Sequence, residues 1–187
     1  MRKVSLFALF MLLCGSFAVG QETKGEFFAG YSYLHLDCGS GCTDSSVPTG
    51  FNLDGTYYFS RSIGVTADFD YHHKDLSDVL SGATGHTLGL HFGPRVKARL
   101  GRVEPFAQGL FGFTDLGESA PGLGSISDKG FSMKLGGGVD VYATRRFAIR
   151  LGEFNYYRTA FGVNSPVNPN GQDHQNNFTF STGILFR

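Results

Sequence analysis

The chain has 187 residues, and its 16 basic and 16 acidic side chains give a formal net charge of zero. This balance argues against a nucleic-acid partner, because proteins that bind nucleic acids usually present a basic patch. Beyond residue 20 there is no run of about 18 apolar residues, so the sequence excludes a membrane-spanning helix there. The length leaves room for one domain.

The N-terminal segment has the pattern of an export signal. Two positive charges in the first three residues precede an almost unbroken apolar run from Val4 to Cys14. Small residues follow at Ala18–Gly20, so we predict a signal peptide over residues 1–20, cleaved before Gln21. A lipid-modified cysteine is the less favoured alternative, because bulky Leu13 precedes it. Residues 21–187 then form the mature domain.

Two cysteines follow the leader, Cys38 and Cys42, separated by Gly-Ser-Gly. In an exported protein an even number of cysteines favours a disulfide. The flexible spacer can bring both Cα atoms within the range that a disulfide needs. A metal or redox site is the alternative, but no further ligand cluster lies nearby in the sequence. We therefore expect a disulfide between Cys38 and Cys42 that staples a loop.

Eight segments of the chain alternate apolar and polar side chains. This alternation extends over nine or more residues in most segments, and it predicts strands because helical faces repeat about every 3.6 residues. The predicted strands, in chain order, span residues 25–36, 51–59, 63–72, 88–97, 103–113, 131–141, 147–156 and 177–186.

The seventh segment keeps this alternation only if one residue is looped out. Without an insertion, Glu153 and Asn155 would fall on the apolar face. A β-bulge at Gly152 or Glu153 returns both polar side chains to the polar face and leaves Phe154 and Tyr156 outside. Loss of strand structure in this region is the alternative.

Short and long connections alternate between the predicted strands. The short ones are residues 60–62, 99–102 and 143–146, and the long, polar ones are residues 37–49, 74–85, 114–129 and 158–175. Such alternation is typical of a meander barrel with short periplasmic turns and longer external loops. An even number of strands then places both chain termini on the periplasmic side.

One face of all eight predicted strands carries no Asp, Glu, Lys or Arg. The opposite face collects the charged residues Glu26, Asp54, Asp68, Asp70, Arg95, Lys97, Glu104, Lys134, Asp140, Arg150 and Glu153. Arg or Lys on a lipid-facing wall costs about 2–4 kcal/mol at the bilayer midplane, so a face without charge suits lipid. A secreted, lipocalin-like barrel with the two faces reversed is the alternative.

The interior of an eight-stranded barrel is just wide enough for side chains. We therefore predict that the inward charges pair with one another, together with His72 and His91, and fill the lumen. The residues of this predicted lumen charge network are Asp68, Asp70, Arg95, Lys97, Glu104, Lys134, Asp140, Arg150 and Glu153. A narrow, gated pore is the alternative interpretation.

Several motifs lie on the predicted strands: F-F-A-G-Y-S-Y-L from Phe27, the hairpin G-F-N-L-D-G-T-Y-Y-F-S-R-S-I-G-V-T-A-D-F from Gly50, P-F-A-Q-G-L-F-G from Pro105, L-G-G-G-V-D-V from Leu135 and N-N-F-T-F-S-T-G-I-L-F-R from Asn176. Together they resemble OmpA-like outer-membrane β-barrel domains of the OmpA/OmpX type. The resemblance implies an all-β fold, an eight-stranded antiparallel up-and-down transmembrane β-barrel in contact with outer-membrane lipid. It also implies location in the bacterial outer membrane and assembly by the barrel-assembly machinery.

We expect no enzyme activity, no cofactor and no metal. Barrels that deacylate lipids carry a His with a Ser two residues later, and none of the six histidines has that Ser. His72 and His73, beside Asp70, are interpreted as a solvated loop edge. The sequence favours a structural or surface-interaction role with an unidentified external ligand. A small porin-like solute channel is the alternative, and a lipid-modifying enzyme is less favoured.

Overall fold

The protein is represented by a computed structural model that describes residues 24–37, 46–75, 84–120, 124–160 and 174–187. The regular structure in these ranges consists of β-strands. They are β1 (Gly25–His35), β2 (Ser46–Val47), β3 (Thr49–Tyr58), β4 (Ile63–Asp75), β5 (Thr84–Lys97), β6 (Val103–Ala120), β7 (Gly124–Tyr142), β8 (Phe147–Ala160) and β9 (Gln175–Phe186). Within the described ranges, no helix has the length and apolar character needed to cross a bilayer.

The eight long strands form one antiparallel sheet that closes on itself. Each long strand pairs with the next one along the chain, and β1 also pairs with β9, from Phe27 opposite Phe186 to His35 opposite Phe178. Closure gives the backbone groups of the first and last strands partners that an open sheet would lack. The predicted eight-stranded up-and-down barrel is therefore confirmed.

The short strand β2 extends β3 beyond Pro48. β2 pairs with the end of β1 through Leu34 and Val47, whereas β3 pairs with β1 one residue out of that register, through Tyr31 and Phe51. Proline has no N–H to give to a ladder, which accounts for the shift at this position. The Tyr31 hydroxyl donates to the Pro48 carbonyl oxygen. The first long connection thus contains paired strand where a loop was predicted.

Side chains alternate between an outer wall and the lumen along the barrel strands. Large apolar side chains cover the outer wall, with Phe92 60%, Leu135 62% and Phe113 67% exposed. Inward side chains are polar and almost fully buried, and both Arg95 and Arg150 are 0% exposed. As predicted, the apolar rows point outward and the charged rows point inward.

Strand β8 contains the predicted bulge, at Leu151 and Gly152. The pairing of β8 shifts there relative to both of its neighbours, β7 and β9. The extra residue returns Glu153 and Asn155 to the lumen, where both are buried, and leaves Phe154 on the outer wall with 66% of its surface exposed. The bulge therefore restores the alternation for the rest of the strand.

The third long connection is mostly strand, so the prediction of a loop over residues 114–129 was wrong. Strand β6 continues to Ala120 and β7 begins at Gly124. Asp115 lies directly opposite Lys129 in this ladder, and the Lys129 Nζ is 3.7 Å from the Asp115 Oδ2. A hairpin that extends beyond the barrel can be polar on both faces, so no apolar row marked these strands.

Two inward glycines are required by close approach between strands. A Cβ added to Gly112 would overlap the Leu90 carbonyl oxygen, and one added to Gly136 would overlap the Phe154 carbonyl oxygen. Outward-facing Gly55 has open space within 4 Å of an added Cβ. Glycine at the inward positions lets neighbouring backbones approach where any side chain would push them apart.

We predict that L135R destabilises the barrel by about 2–4 kcal/mol, because an arginine in the middle of the outer wall would have to enter lipid. Urea unfolding of the refolded protein in lipid vesicles, followed by the heat-dependent gel shift, measures the loss. The control is I126R: Ile126 is 50% exposed but lies on β7 on the loop side of Phe131, where the described pairs with β8 end. Its substitution should cost less than about 1 kcal/mol. Equal losses would contradict a lipid-facing wall.

Candidate functional site

The lumen contains all nine residues of the predicted lumen charge network. They project inward from strands β4 to β8, and each is at most 3% exposed. Glu26 and Asp54, which the sequence places on the same face, are equally buried. Charged side chains with so little access to water need ionic partners and hydrogen bonds within the protein. We call the end of the barrel with the tight turns the turn end and the opposite end the loop end.

The central cluster of ion pairs is built around Asp54. Arg95 meets its carboxylate with two parallel contacts, Nη1 to Oδ1 at 2.9 Å and Nη2 to Oδ2 at 3.1 Å. This bidentate arrangement is the one that a guanidinium and a carboxylate favour. Arg150 also donates to the Asp54 Oδ2, at 2.6 Å. Two further carboxylates bind Arg150, with Glu153 at 2.5 Å and Asp140 at 2.8 Å.

Two phenylalanine rings complete the central cluster. The Arg150 guanidinium carbon is 4.1 Å from the centre of the Phe28 ring and 4.5 Å from that of Phe106. Arg95 lies 4.6 Å from the same Phe106 ring. A cation near the face of an aromatic ring is attracted by the ring quadrupole. Stacked guanidinium and phenyl planes thus occupy the middle of the lumen.

Lys97 organises the cluster at the turn end. Its Nζ is 2.5 Å from the Glu26 Oε2 and 2.8 Å from the Asp140 Oδ2. Glu104 is more distant, at 3.7 Å. Because Asp140 binds both Lys97 and Arg150, it connects this cluster to the central one. The ion pairs therefore continue along the barrel axis.

Arg187 closes the turn end and was not among the residues predicted for the network. Its Nη2 lies 2.5 Å from both the Glu26 Oε1 and the Glu104 Oε2. The guanidinium also lies 4.2 Å from the centre of the Tyr142 ring. The sequence contained a signal for this position, because Phe186 faces outward and the next residue of an alternating strand faces inward.

Lys134 organises the cluster at the loop end. Its Nζ is 2.6 Å from the Asp68 Oδ1 and also donates to the Asp70 Oδ1. Asn52 donates to the other oxygen of Asp68 at 2.5 Å. The Lys134 Nζ is 5.3 Å from the centre of the Tyr157 ring, which lies above it on the loop-end side. One cation thus serves two neighbouring carboxylates on β4.

Two buried histidines flank this cluster. The His72 Nε2 is 3.0 Å from the Ser32 Oγ, and His72 is 0% exposed. This agrees with its predicted place in the lumen and contradicts its interpretation as part of a solvated loop edge. The alternation continues to the end of β4 and turns His72 inward. The His91 Nε2 is 2.8 Å from the Ser132 Oγ. On its other side, the His91 Nδ1 is 3.5 Å from the Asp68 Oδ1.

Asp68, Asp70 and His91 come close enough together to share a metal ion, with one ligand atom of each within 4.8 Å of the others. The Lys134 ammonium, however, is hydrogen-bonded to both carboxylates. A resident ammonium group supplies the positive charge that a metal would otherwise bring. The arrangement of these side chains therefore fits mutual neutralisation better than metal ligation.

A shallow recess opens at the loop end above this cluster. It is lined by Leu36, Thr87, Thr114, Leu116, Tyr157, Thr159, Gln175 and Asn177. Its floor includes Tyr157, which is fully buried and hydrogen-bonded to Thr114. The lining residues are neutral, and they bring no acid, base or nucleophile pair together. Cys38 and Cys42 lie outside the described residues, so their predicted disulfide stays a prediction.

Comparison with known proteins identifies the fold family. The sequence model of the family described as "Outer membrane protein beta-barrel domain" matches residues 5–186. No curated protein sequence matches the chain significantly.

Among solved structures, Ail, the attachment invasion locus protein of Yersinia pestis, is similar with a TM-score of 0.60 at 19% identity, over 87% of this chain and 96% of that one. Neisserial surface protein A is similar with a TM-score of 0.61 at 10% identity, over 87% of this chain and 96% of that one. One structure of Ail contains the heparin analogue sucrose octasulfate. At these identities the likeness establishes the fold alone.

We predict that R150M costs about 3–5 kcal/mol of stability, because it leaves Asp54, Asp140 and Glu153 facing one another without their shared cation. Urea unfolding of the refolded barrel in vesicles measures the change. The control R145Q removes an exposed arginine of a tight turn and should change stability by less than about 0.5 kcal/mol. A cost below about 1 kcal/mol for R150M would contradict a structural role for the network.

Proposed function

The chain belongs to the outer membrane protein beta-barrel domain family, and we propose that it acts there as a closed barrel with a structural or surface-interaction role. Its location is the bacterial outer membrane, as for the small barrels with the same fold. The proposed role has two parts: a lumen that does not conduct, and a loop end that meets the surroundings of the cell.

The observation that carries the proposal is the central cluster around Asp54. Arg95 and Arg150 bind this carboxylate from β5 and β8, two strands on different sides of the lumen, and all three side chains are 0% exposed. The Gln108 Oε1 accepts a hydrogen bond from the Arg95 Nε at 2.8 Å, and its Nε2 donates to the Glu153 Oε1 at 2.8 Å. An ion that entered the lumen would have to displace paired charges, and breaking such pairs is costly. These contacts support a filled interior.

The surface-interaction part of the proposal is supported by the form of the loop end. Strands β6 and β7 pair as far as Ala120 and Gly124, whereas the described pairs between β7 and β8 end at Phe131 and Ala160. Within the described residues, this hairpin therefore extends past the end of the β7–β8 ladder. External segments positioned by a rigid barrel are the usual place for recognition.

The remaining parts of the proposal concern biogenesis and chemistry. We propose that residues 1–20 are removed as a signal peptide and that the barrel-assembly machinery inserts the mature chain into outer-membrane lipid. We also propose that the protein is not an enzyme. In the part of the chain that the structure describes, the two His–Ser pairs, His72 with Ser32 and His91 with Ser132, are at most 1% exposed, so a substrate would not reach either serine. The carboxylates nearest to the histidines, Asp68 and Asp70, are neutralised by Lys134.

A small solute channel is the second candidate, favoured by the charged character of the lumen. Planar-bilayer recording distinguishes the two: we predict no conductance for the wild-type barrel above that of the empty membrane. The variant D54A/R95A/R150A removes the central side chains together with their charges and should produce conductance steps. Steps of similar size from the wild-type protein would contradict the closed barrel and support the porin-like channel.

We predict that Cys38 and Cys42 form a disulfide on the cell surface. A membrane-impermeant maleimide applied to intact cells should label the protein only after treatment with a reductant. The variant C38S serves as the control, since its remaining thiol should be labelled without reduction. Labelling of the untreated wild-type protein would contradict the disulfide, and failure to label C38S would contradict the external position of this segment.

A further inference from the structure

The three tight turns at the turn end are rich in arginine. They contain five arginines and no acidic residue, and we call this set the basic turn ring: Arg61, Arg99, Arg102, Arg145 and Arg146. Four of them are exposed, and Arg99 is half-buried. The turns lie between successive strand pairs, so the arginines are distributed around the rim rather than gathered on one side.

The acidic residues near this end do not neutralise the basic turn ring. Glu26, Glu104 and Asp140 point into the lumen, are at most 3% exposed, and are bound by Lys97 and Arg187. Of the described residues at the rim itself, 24, 59–62, 98–102, 143–146 and 187, none is an aspartate or a glutamate. The described part of the rim therefore carries positive charge without an acidic side chain beside it.

The basic turn ring lies next to the apolar wall. Leu100, within one of the turns, is 69% exposed, and Phe59 at the start of another is 61% exposed. Phe147 and Phe186, which form an aromatic pair with ring centres 5.2 Å apart, are 50% and 47% exposed at the same level. Exposed aromatic residues at the border of an apolar band mark the level of lipid headgroups. The arginines directly beside them are at the height of the phosphates.

Two of the turns are held in place relative to each other. The Arg99 Nε donates to the Arg61 carbonyl oxygen at 2.7 Å. The Arg99 guanidinium also lies 5.3 Å from the centre of the Tyr58 ring. Arg99 thus connects adjacent turns, while the exposed Arg61 and Arg102 keep their guanidinium groups available. A guanidinium binds phosphate oxygens through two parallel N–H donors. Arginine is therefore well suited to the phosphate of a lipid headgroup.

We propose that the basic turn ring binds the phosphate headgroups of anionic phospholipids in the leaflet around the turn end. Charge complementarity favours this occupant, since the ring is the positive end of a polarised molecule. The sequence segments predicted as the four long connections contain eight acidic and three basic residues. The inference rests on the membrane location of the barrel and is independent of whether the lumen conducts.

The test compares anionic and zwitterionic lipid. The refolded full-length mature protein is exchanged into detergent, titrated with phosphatidylglycerol or phosphatidylcholine, and examined by native mass spectrometry. Each arginine at an anionic surface contributes about fivefold to binding, so we expect a preference of at least about tenfold for phosphatidylglycerol. The variant R61Q/R102Q/R145Q/R146Q should reduce that preference to within about twofold. Arg99 is retained because it connects two turns.

The matched control, K74Q/K129Q/R158Q, removes three basic residues near the loop end, on β4, β7 and β8, and should retain the preference. A wild-type protein without preference, or a quadruple variant that keeps it, overturns the proposal. If the quadruple variant does not refold, R145Q/R146Q must lower the preference by at least about fivefold, or the proposal fails. Binding to isolated peptidoglycan that depends on the same arginines, with no preference for phosphatidylglycerol, would overturn it in favour of a cell-wall partner.

Discussion

The closed hydrogen-bond ladder is the constraint on which the rest of the structure depends. Lipid offers no partner for backbone N–H and C=O groups, so a spanning sheet must satisfy them all within itself. Here the nine pairs between β1 and β9 complete the circle of strands. Once the sheet is closed, each side chain has only two directions, outward into lipid or inward to the axis. The alternation in the sequence, the apolar outer wall and the ionic lumen all follow from this restriction to two directions.

The lumen is too narrow for bulk water, so its charged side chains must neutralise one another. Asp54 and Asp68 are directly opposite each other on β3 and β4, a placement that is unfavourable for like charges. Arg95 and Arg150 neutralise the first, and Lys134 neutralises the second. Neutral donors satisfy oxygens that the cations do not reach, as Asn155 does for Glu153 at 2.8 Å. The lumen is thus one connected polar core.

Sequence periodicity was sufficient to predict the barrel, because alternation is visible within each strand. It even predicted the bulge in β8, since Glu153 and Asn155 would otherwise face lipid. It failed for residues 114–129, because strands beyond the bilayer carry no apolar row. It could identify which charges face inward but not which of them meet, since partners such as Arg187 and Glu26 come together only through barrel closure. For His72 the sequence allowed both the lumen and a solvated loop edge, because the height of this residue in the barrel depends on where the pairing of β4 ends.

The ion pair between Arg187 and Glu26 joins residues 161 positions apart. It can form only after β9 has docked on β1, so it contributes nothing to partly assembled sheets. If β9 docked two residues out of place, its apolar side chains would still face outward, but Arg187 would move by about 6–7 Å along the axis and lose both carboxylates. Hydrophobicity cannot distinguish these two alignments. The ion pairs of Arg187 with Glu26 and Glu104 therefore stabilise the native alignment of β1 and β9 over this shifted one.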